Sequence, residues 1–171
     1  MTISMYQASV PVFAQYLRGL SGVLDKAEAH CTAKKIDPVV LTGSRLIADM
    51  FPLARQVQIA CDFAKGVTAR LAGAEVPAWE DTEKTIPELK ARIQKTITFI
   101  EGFKPAQIDG SEGREISLKV AGNPVTFKGQ PYLLNFGMGH FYFHTAAAYS
   151  ILRANGVDIG KRDFIGPMPG M

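Results

Sequence analysis

Apolar residues recur at helical spacing in four long segments of the chain. The segments span roughly residues 3–34, 44–73, 85–102 and 131–155. Pro52 is expected to bend the second segment, and Gly73 is expected to end it in a left-handed conformation. The pattern predicts an all-α protein that folds as a four-helix bundle.

The third segment carries signals for its start and for its surface. Thr85 and Glu88 stand in the register of a capping box, in which each side chain bonds the backbone amide of the other residue. Isoleucine and leucine recur along one side of this helix, whereas Lys90, Arg92 and Lys95 lie between them. These three basic residues are expected to face water.

Between the third and fourth segments the period changes from about 3.6 residues to two. Residues 114–120 alternate polar and apolar side chains, residues 125–128 do so again, and the sequence AGNP between them supplies a turn. The pattern predicts a small β-hairpin between the third and fourth helices, too small to be a domain. The chain is therefore expected to form one helical-bundle domain over residues 1–171.

The fourth segment is apolar on nearly all its sides. Leu133 and Phe136 share one face with His140, while Phe143 and Tyr149 extend the apolar surface further round the helix. A helix that is apolar all round must be buried all round, and a chain of this size offers too little other surface to cover it. We therefore expect a homodimer that forms through the fourth helix.

Composition narrows the setting in which the protein works. The formal net charge is +3, but the basic residues are scattered or occur in pairs, so they do not form a basic patch that would bind nucleic acid. No apolar run reaches the ~18 residues of a membrane span, and no signal peptide is visible. Cys31 and Cys61 form no CxxC pair and fit reduced thiols. These features predict a cytoplasmic protein that binds neither nucleic acid nor a membrane.

His140 and His144 are the candidate chemical groups of the chain. They lie four residues apart, so both imidazoles point the same way from a helix and can reach one ion. Two histidines on an otherwise apolar stripe are costly to bury unless a partner satisfies them. A metal ion, a polar network or a water-filled pocket would do so, and two histidines alone do not decide among them.

Three stretches carry a resemblance to a known family. HFYFHTAAAYSILRANGV (residues 140–157) resembles the last helix of the DinB/YfiT-like superfamily of four-helix bundles, in which an HxxxH pair precedes a Leu-Arg-x-x-Gly ending. DMFPLARQVQIACDFAK (residues 49–65) and GKRDFIG (residues 160–166) resemble one bacterial branch of that superfamily, a domain of unknown function. The resemblance implies an up-down-down-up bundle, often dimeric. It also implies that some relatives bind a divalent metal through three histidines and transfer groups to small-molecule thiols.

Carried over by position, the histidine pair of the family falls on His140 and His144, and its remaining histidine falls on Gln56. An amide oxygen is a poor ligand for zinc or nickel beside imidazoles. The resemblance thus implies a degenerate pocket between the second and fourth helices, with Tyr142 nearby and Asp49 about two turns before Gln56 on nearly the same helix face.

We expect this pocket to hold no metal or only a weakly held divalent ion, Zn²⁺ or Ni²⁺. The predicted function is a dimeric module that binds a small-molecule ligand or has a structural role. The alternative is a divalent-metal-dependent enzyme, for example one that transfers a group to a small-molecule thiol.

Overall fold

Four long helices form a bundle in the computed structural model, which describes residues 2–168. The long helices are α1 (Val10–Lys34), α3 (Leu53–Ala72), α4 (Ile86–Glu101) and α7 (Met138–Ala154). The short helices are α2 (Pro38–Gly43), α5 (Pro105–Ile108), α6 (Gly129–Pro131) and α8 (Lys161–Ile165). A two-stranded hairpin of β1 (Glu115–Val120) and β2 (Asn123–Lys128) lies between α5 and α6. The predicted helical bundle with a hairpin between its third and fourth long helices is confirmed.

The last long helix packs against two of the other long helices. Both α1 and α3 pack against α4 and against α7. Phe13 of α1 meets Phe141 of α7 edge to face, with ring centroids 4.9 Å apart, and both rings are fully buried. Burial of a phenylalanine side chain stabilises the fold by about 1.5–3 kcal/mol. These contacts fix the position of α7, the helix that carries both histidines.

The helix predicted for the second segment begins later than its apolar pattern indicates. Residues 44–52 are irregular, and α3 begins directly after Pro52, which has the extended ψ angle of 164°. Proline disfavours helical backbone in the residue before it, so the chain starts the helix beyond Pro52 and no bend occurs there. The prediction that Asp49 lies on the helix of Gln56 is therefore wrong; Asp49 lies in the irregular segment, and its side chain is exposed.

Arg92 of α4 is buried, with 3% of its surface exposed, and the prediction that it faces water is wrong. The loop of residues 73–85 folds over it. The guanidinium group lies 2.9 Å from the carboxylate of Asp62, 3.1 Å from that of Asp81 and 3.1 Å from that of Glu83. Arg92 follows Leu89 by three residues and so lies beside the apolar stripe of α4, but periodicity does not reveal that a loop covers this side.

Two of the sequence signals fix the ends of that loop. Gly73 ends α3 in the left-handed conformation, with φ of 69°. Thr85 and Glu88 form the predicted capping box at the start of α4, in which the Glu88 carboxylate accepts from the Thr85 amide at 2.9 Å. Both predictions are confirmed.

The hairpin is antiparallel, and Ile116 stands opposite Phe127. Its turn consists of Ala121 and Gly122, whose positive φ angles of 48° and 84° suit a tight two-residue connection. Ile116 is buried in the core, and the Phe127 ring lies 5.1 Å from that of Phe136. The inner side chains therefore hold the hairpin on the bundle beside α3.

A π-helical turn over Tyr132–Gly137 joins α6 to α7, so the fourth segment is one continuous helix. A Cβ atom at Gly137 would stand 2.6 Å from Cγ2 of Val67, and glycine therefore allows the close approach of this turn to α3. Leu134 and Phe143 point outward, with 46% and 57% of their surfaces exposed. One chain thus leaves an apolar strip of this helix uncovered.

Among the helices of residues 2–168, none combines the length and the apolar composition that a membrane span requires.

Candidate ligand-binding site

The side chains of His144 on α7 and Gln56 on α3 form a hydrogen bond across the interface of these helices. Nδ1 of His144 lies 2.7 Å from Oε1 of Gln56, and the two residues are 8% and 1% exposed. Nε2 of Gln56 donates to the carbonyl oxygen of Phe51 at 3.1 Å, which fixes the orientation of the amide group. Because an amide oxygen only accepts, Nδ1 of His144 carries the proton of the neutral ring.

Nε2 of His144 therefore carries the free lone pair. It has no hydrogen-bond partner among the residues that the structure describes. The ring lines a shallow surface depression of about 520 Å³, together with Asn135, Gly139, His140 and Phe143. A ligand in this depression meets a hydrogen-bond acceptor of fixed orientation.

The surroundings of His144 keep its ring neutral. Burial is the largest cause that lowers the pKa of His144 from 6.5 to about 4, and the nearby charges of His140 and Arg55 contribute to the same shift. A histidine with this pKa is uncharged at pH 7, so its Nε2 accepts a hydrogen bond rather than donates one.

His140 lies at the edge of the same depression, but aromatic contacts hold it. Its exposed ring stacks on Phe63 of α3, with centroids 4.5 Å apart and an angle of 4° between the planes. The edge of Phe136 meets it at 4.6 Å. The Phe63 ring also lies 6.1 Å from that of His144, at an angle of 16°, so both imidazoles lie nearly parallel to one phenyl ring.

The structure brings together three of the five site residues that the sequence indicates, and it leaves Tyr142 and Asp49 apart from them. The Tyr142 ring lies against Tyr16 of α1, with centroids 4.9 Å apart. Two residues of an α-helix differ by about 200° in direction, so Tyr142 points away from the side that His144 occupies. Asp49 is separated from the helix of Gln56 by Pro52.

The donor set does not fit the three-histidine metal site of the metal-binding relatives. Within residues 2–168, no three His, Cys, Asp or Glu side chains converge in a way that would hold a metal ion. Gln56, which the resemblance puts at the third position, has its Oε1 already engaged by His144. Two imidazoles and an engaged amide oxygen give no support to a metal-dependent reaction step.

A second cavity, of about 340 Å³, lies beneath the hairpin. Aromatic and apolar side chains form much of its wall, and the main ones are Phe63, Val67, Leu118, Val120, Tyr132 and Phe136. Arg70 also lines it and donates from Nη1 to the Tyr132 hydroxyl at 3.2 Å. His140 lines both this cavity and the depression at His144.

Sequence reasoning missed this second cavity. The hairpin, the end of α3 and the π-helical turn form it together, although they are far apart in the chain. The one signal in the sequence is Arg70, a single charge within the otherwise uncharged stretch of residues 66–72.

A family model for a domain of unknown function, DUF1993, matches residues 5–165. The match spans nearly the whole chain, including both histidines and the hairpin. The chain belongs to the DUF1993 family.

This DUF1993 chain is also similar to a solved protein with the same fold. The crystal structure of a DinB family member protein from Shewanella denitrificans has 41% sequence identity and a TM-score of 0.87, over 96% of this chain and 93% of that chain. The DinB-like resemblance of the sequence is thereby confirmed. None of the curated proteins compared matches the chain.

Proposed function

We propose that this DUF1993 protein is a cytoplasmic module that binds a small molecule in the depression at His144. The single observation that carries the proposal is the 2.7 Å hydrogen bond between His144 and Gln56. It fixes the imidazole in one tautomer and leaves its Nε2 lone pair toward the depression. A buried polar side chain that is held in one orientation and lacks a second partner is the usual specificity element of a ligand site.

The walls of the depression indicate the kind of ligand. Phe143 and His140 offer ring surfaces, and Nε2 of His144 offers one acceptor. A ligand with an apolar ring can pack on these ring surfaces, and one hydroxyl or N–H group on it can donate to the acceptor. We therefore propose a neutral aromatic or heterocyclic ligand that donates one hydrogen bond to His144.

Binding accounts for these residues better than metal-dependent catalysis does. The alternative function, transfer of a group to a small thiol, uses a metal with three protein ligands in an open site. Gln56 takes the place of the third nitrogen donor, and its amide instead orients His144. The arrangement supports recognition of a ligand without a resident ion.

The proposal is tested with phenol as the probe. Long-range ¹H–¹⁵N NMR spectra of the imidazoles, recorded during a phenol titration, should show a protonated Nδ1 and a progressive shift of Nε2 at His144. Anisole has the same ring but no donor, and it should bind roughly five-fold more weakly, because one hydrogen bond is worth about 1 kcal/mol. His144→Ala should abolish the difference, whereas the matched variant His30→Ala should keep it. Equal binding of phenol and anisole by the wild-type protein would refute the proposal.

We further infer that the protein is a homodimer that forms through the fourth long helix. Exposed Leu134 and Phe143 support this, because they lie on one helix beside the small residues Gly139 and Ala146, which let a second helix approach closely. Apolar strips of this kind are commonly covered by a partner. In such a dimer the depression at His144 would lie at the subunit interface, because Phe143 lines the depression and is also part of the proposed interface.

A further inference from the structure

We infer that the cavity beneath the hairpin binds an organic anion, namely an aromatic carboxylate of one or two rings whose carboxylate meets Arg70. This site differs from the depression at His144, since the two share only the ring of His140. The inference therefore does not rest on the function proposed above. It rests on the charge of Arg70, on the hydroxyl group beside it and on the aromatic wall.

Arg70 differs from the other half-buried or buried arginines in its partners. Arg92 has three carboxylates within 4 Å, and Arg55 is paired with Asp81. Arg70 forms no salt bridge with any of the described residues 2–168, and its one side-chain partner there is the Tyr132 hydroxyl at 3.2 Å. A guanidinium group offers five N–H donors in a planar fork that matches a carboxylate, so most of these donors are available to a ligand.

Arg70 also lies in the last turn of α3, where the helix dipole favours a cation. That attraction acts on the charge and uses none of the N–H donors. The position at the helix end thus explains why a cation without a carboxylate is tolerated there, and it leaves the other N–H donors of Arg70 without a side-chain partner among the described residues.

The Tyr132 hydroxyl gives a second donor beside the guanidinium. Because Nη1 of Arg70 donates to the phenol oxygen, the proton of this hydroxyl can point to another acceptor. Burial raises the pKa of Tyr132 above its usual range, so the phenol keeps its proton at neutral pH. A carboxylate placed here would accept from both side chains.

The net charge that faces the cavity is positive. Lys119 also lines the cavity, but on its strand it alternates with the inner Leu118 and Val120, so the positive charge inside the cavity is that of Arg70. Asp62 also lines the cavity, but its carboxylate lies 2.8 Å from Nζ of Lys65 and 2.9 Å from the guanidinium of Arg92. These two cations offset the charge of Asp62, so it does not repel an anion.

The apolar part of the cavity sets the size of the ligand. A volume of about 340 Å³ lies near the lower end of the range of about 300–1,000 Å³ for small-molecule sites. Phe63 and Phe136 supply aromatic surface, and Leu118 of the hairpin also lines the cavity. One or two fused rings fill such a space, and an aliphatic acid would leave the aromatic contacts unused.

Gly66 is part of this arrangement, because it makes room for the side chain of Arg70. A Cβ atom at position 66 would stand 2.6 Å from Nη1 of Arg70. Gly66→Ala therefore displaces the guanidinium group and keeps its charge. This variant tests the position of the donors separately from their charge.

The experiment uses naphthoate as the probe and neutral naphthamide as its matched control, with affinities from isothermal titration calorimetry on the full chain. Naphthoate should bind the wild-type protein at least roughly ten-fold more tightly than naphthamide, because hydrogen bonds to charged groups are the stronger ones. Arg70→Met should remove this preference. Arg162→Met, at an exposed arginine of α8, should leave it unchanged.

A second pair of variants covers the case in which Arg70→Met fails to fold. Gly66→Ala should weaken naphthoate binding by several-fold, whereas Gly22→Ala, where no atom lies within 4 Å of the new methyl group, should not.

The inference is overturned if naphthamide binds the wild-type protein as tightly as naphthoate. It is equally overturned if both Arg70→Met, when folded, and Gly66→Ala bind naphthoate with wild-type affinity. His144→Ala should retain naphthoate binding and lose the phenol preference, so the two proposals fail separately.

Discussion

Oε1 of Gln56 accepts a hydrogen bond from Nδ1 of His144 at 2.7 Å, across the interface of α3 and α7. Gln56 thus acts as an orienting group. It determines which of the two nitrogens of His144 faces the depression. A carbonyl-type oxygen on Nδ1–H is a common way to fix a functional imidazole.

Gln56→Glu should raise the pKa of His144 from about 4, because a carboxylate in hydrogen-bond contact stabilises the imidazolium form. We expect an upward shift of roughly one to three units. An NMR titration of the imidazole resonances measures it. The substitution Asp49→Asn, at an exposed carboxylate in the irregular segment before α3, serves as the control and should leave the titration of His144 unchanged. No shift in Gln56→Glu would show that this contact does not form in solution.

The stability of the fold should depend on pH through His144. Its pKa is lowered on folding, so between pH 6.5 and about 4 the unfolded chain binds more protons than the folded chain. The neutral His144 therefore contributes its full stabilisation above pH 6.5. As the pH falls toward 4, the free energy of unfolding decreases by up to about 3 kcal/mol.

Urea unfolding at several pH values across this window tests the expectation on wild-type protein and His144→Gln. The difference in unfolding free energy between the two proteins should shrink as the pH falls. All other titrating groups are shared, so their effects cancel in the comparison. A difference that stays constant from pH 7 to pH 4 would contradict the lowered pKa.

The protein purified without a histidine tag should hold no stoichiometric zinc or nickel. Two imidazoles and an engaged amide oxygen make a weak site, and a closed structural zinc site needs four good donors. Elemental analysis of wild-type protein and of His144→Ala should give the same low metal content. About one zinc or nickel ion per chain, lost in His144→Ala, would instead make the metal-dependent enzyme the leading interpretation.

Arg92→Met should destabilise the protein by about 1–3 kcal/mol, because the carboxylate of Glu83 loses its buried partner. Asp62 keeps its salt bridge to Lys65, and Asp81 keeps that to Arg55. Urea unfolding followed by the fluorescence of Trp79 measures the loss, since Trp79 lies in the loop that Arg92 holds. Lys95→Met is the matched control. Lys95 also lies over the Trp79 ring, 4.4 Å from its centroid, and has no salt bridge with a described residue. Its loss should cost less than about 1 kcal/mol.

Light scattering at micromolar concentration should give the mass of a dimer for the wild-type chain and that of a monomer for Phe143→Glu. A carboxylate at position 143 would place an unpaired charge in the proposed interface. Val40→Glu replaces another exposed apolar residue, 59% exposed and on α2, and should remain dimeric. A monomeric mass for the wild-type protein would rule out the homodimer.

The helices and the hairpin were predictable because local signals determine them. The capping box of Thr85 and the left-handed Gly73 depend on neighbours within a few residues, and the alternation of strands β1 and β2 needs no knowledge of the rest of the fold. The start of α3 was missed, because the apolar residues before Pro52 continue the helical spacing although the backbone does not.

The candidate site was only partly predictable, because its contacts link distant elements. The proximity of His144 and Gln56 follows from the family resemblance, and helical spacing explains why His140 shares the side of His144. The burial of Arg92 and the cavity at Arg70 depend on where the loop 73–85 and the hairpin pack. No periodicity encodes such packing, since it depends on three-dimensional contacts between segments that are far apart in the sequence.

The π-helical turn at residues 132–137 makes this part of the fourth long helix tolerant of a one-residue deletion. A π-helical turn holds one residue more than the α-helical turn that would replace it. Loss of Asn135, an exposed residue, would restore α-helical bonding and leave α7 in its present orientation, so His144 would still point at Gln56. Loss of a residue between the π-helical turn and His144 would instead rotate His144 by about 100° away from Gln56. Among related sequences, residues 132–137 should therefore vary in length by one residue more readily than α7 does.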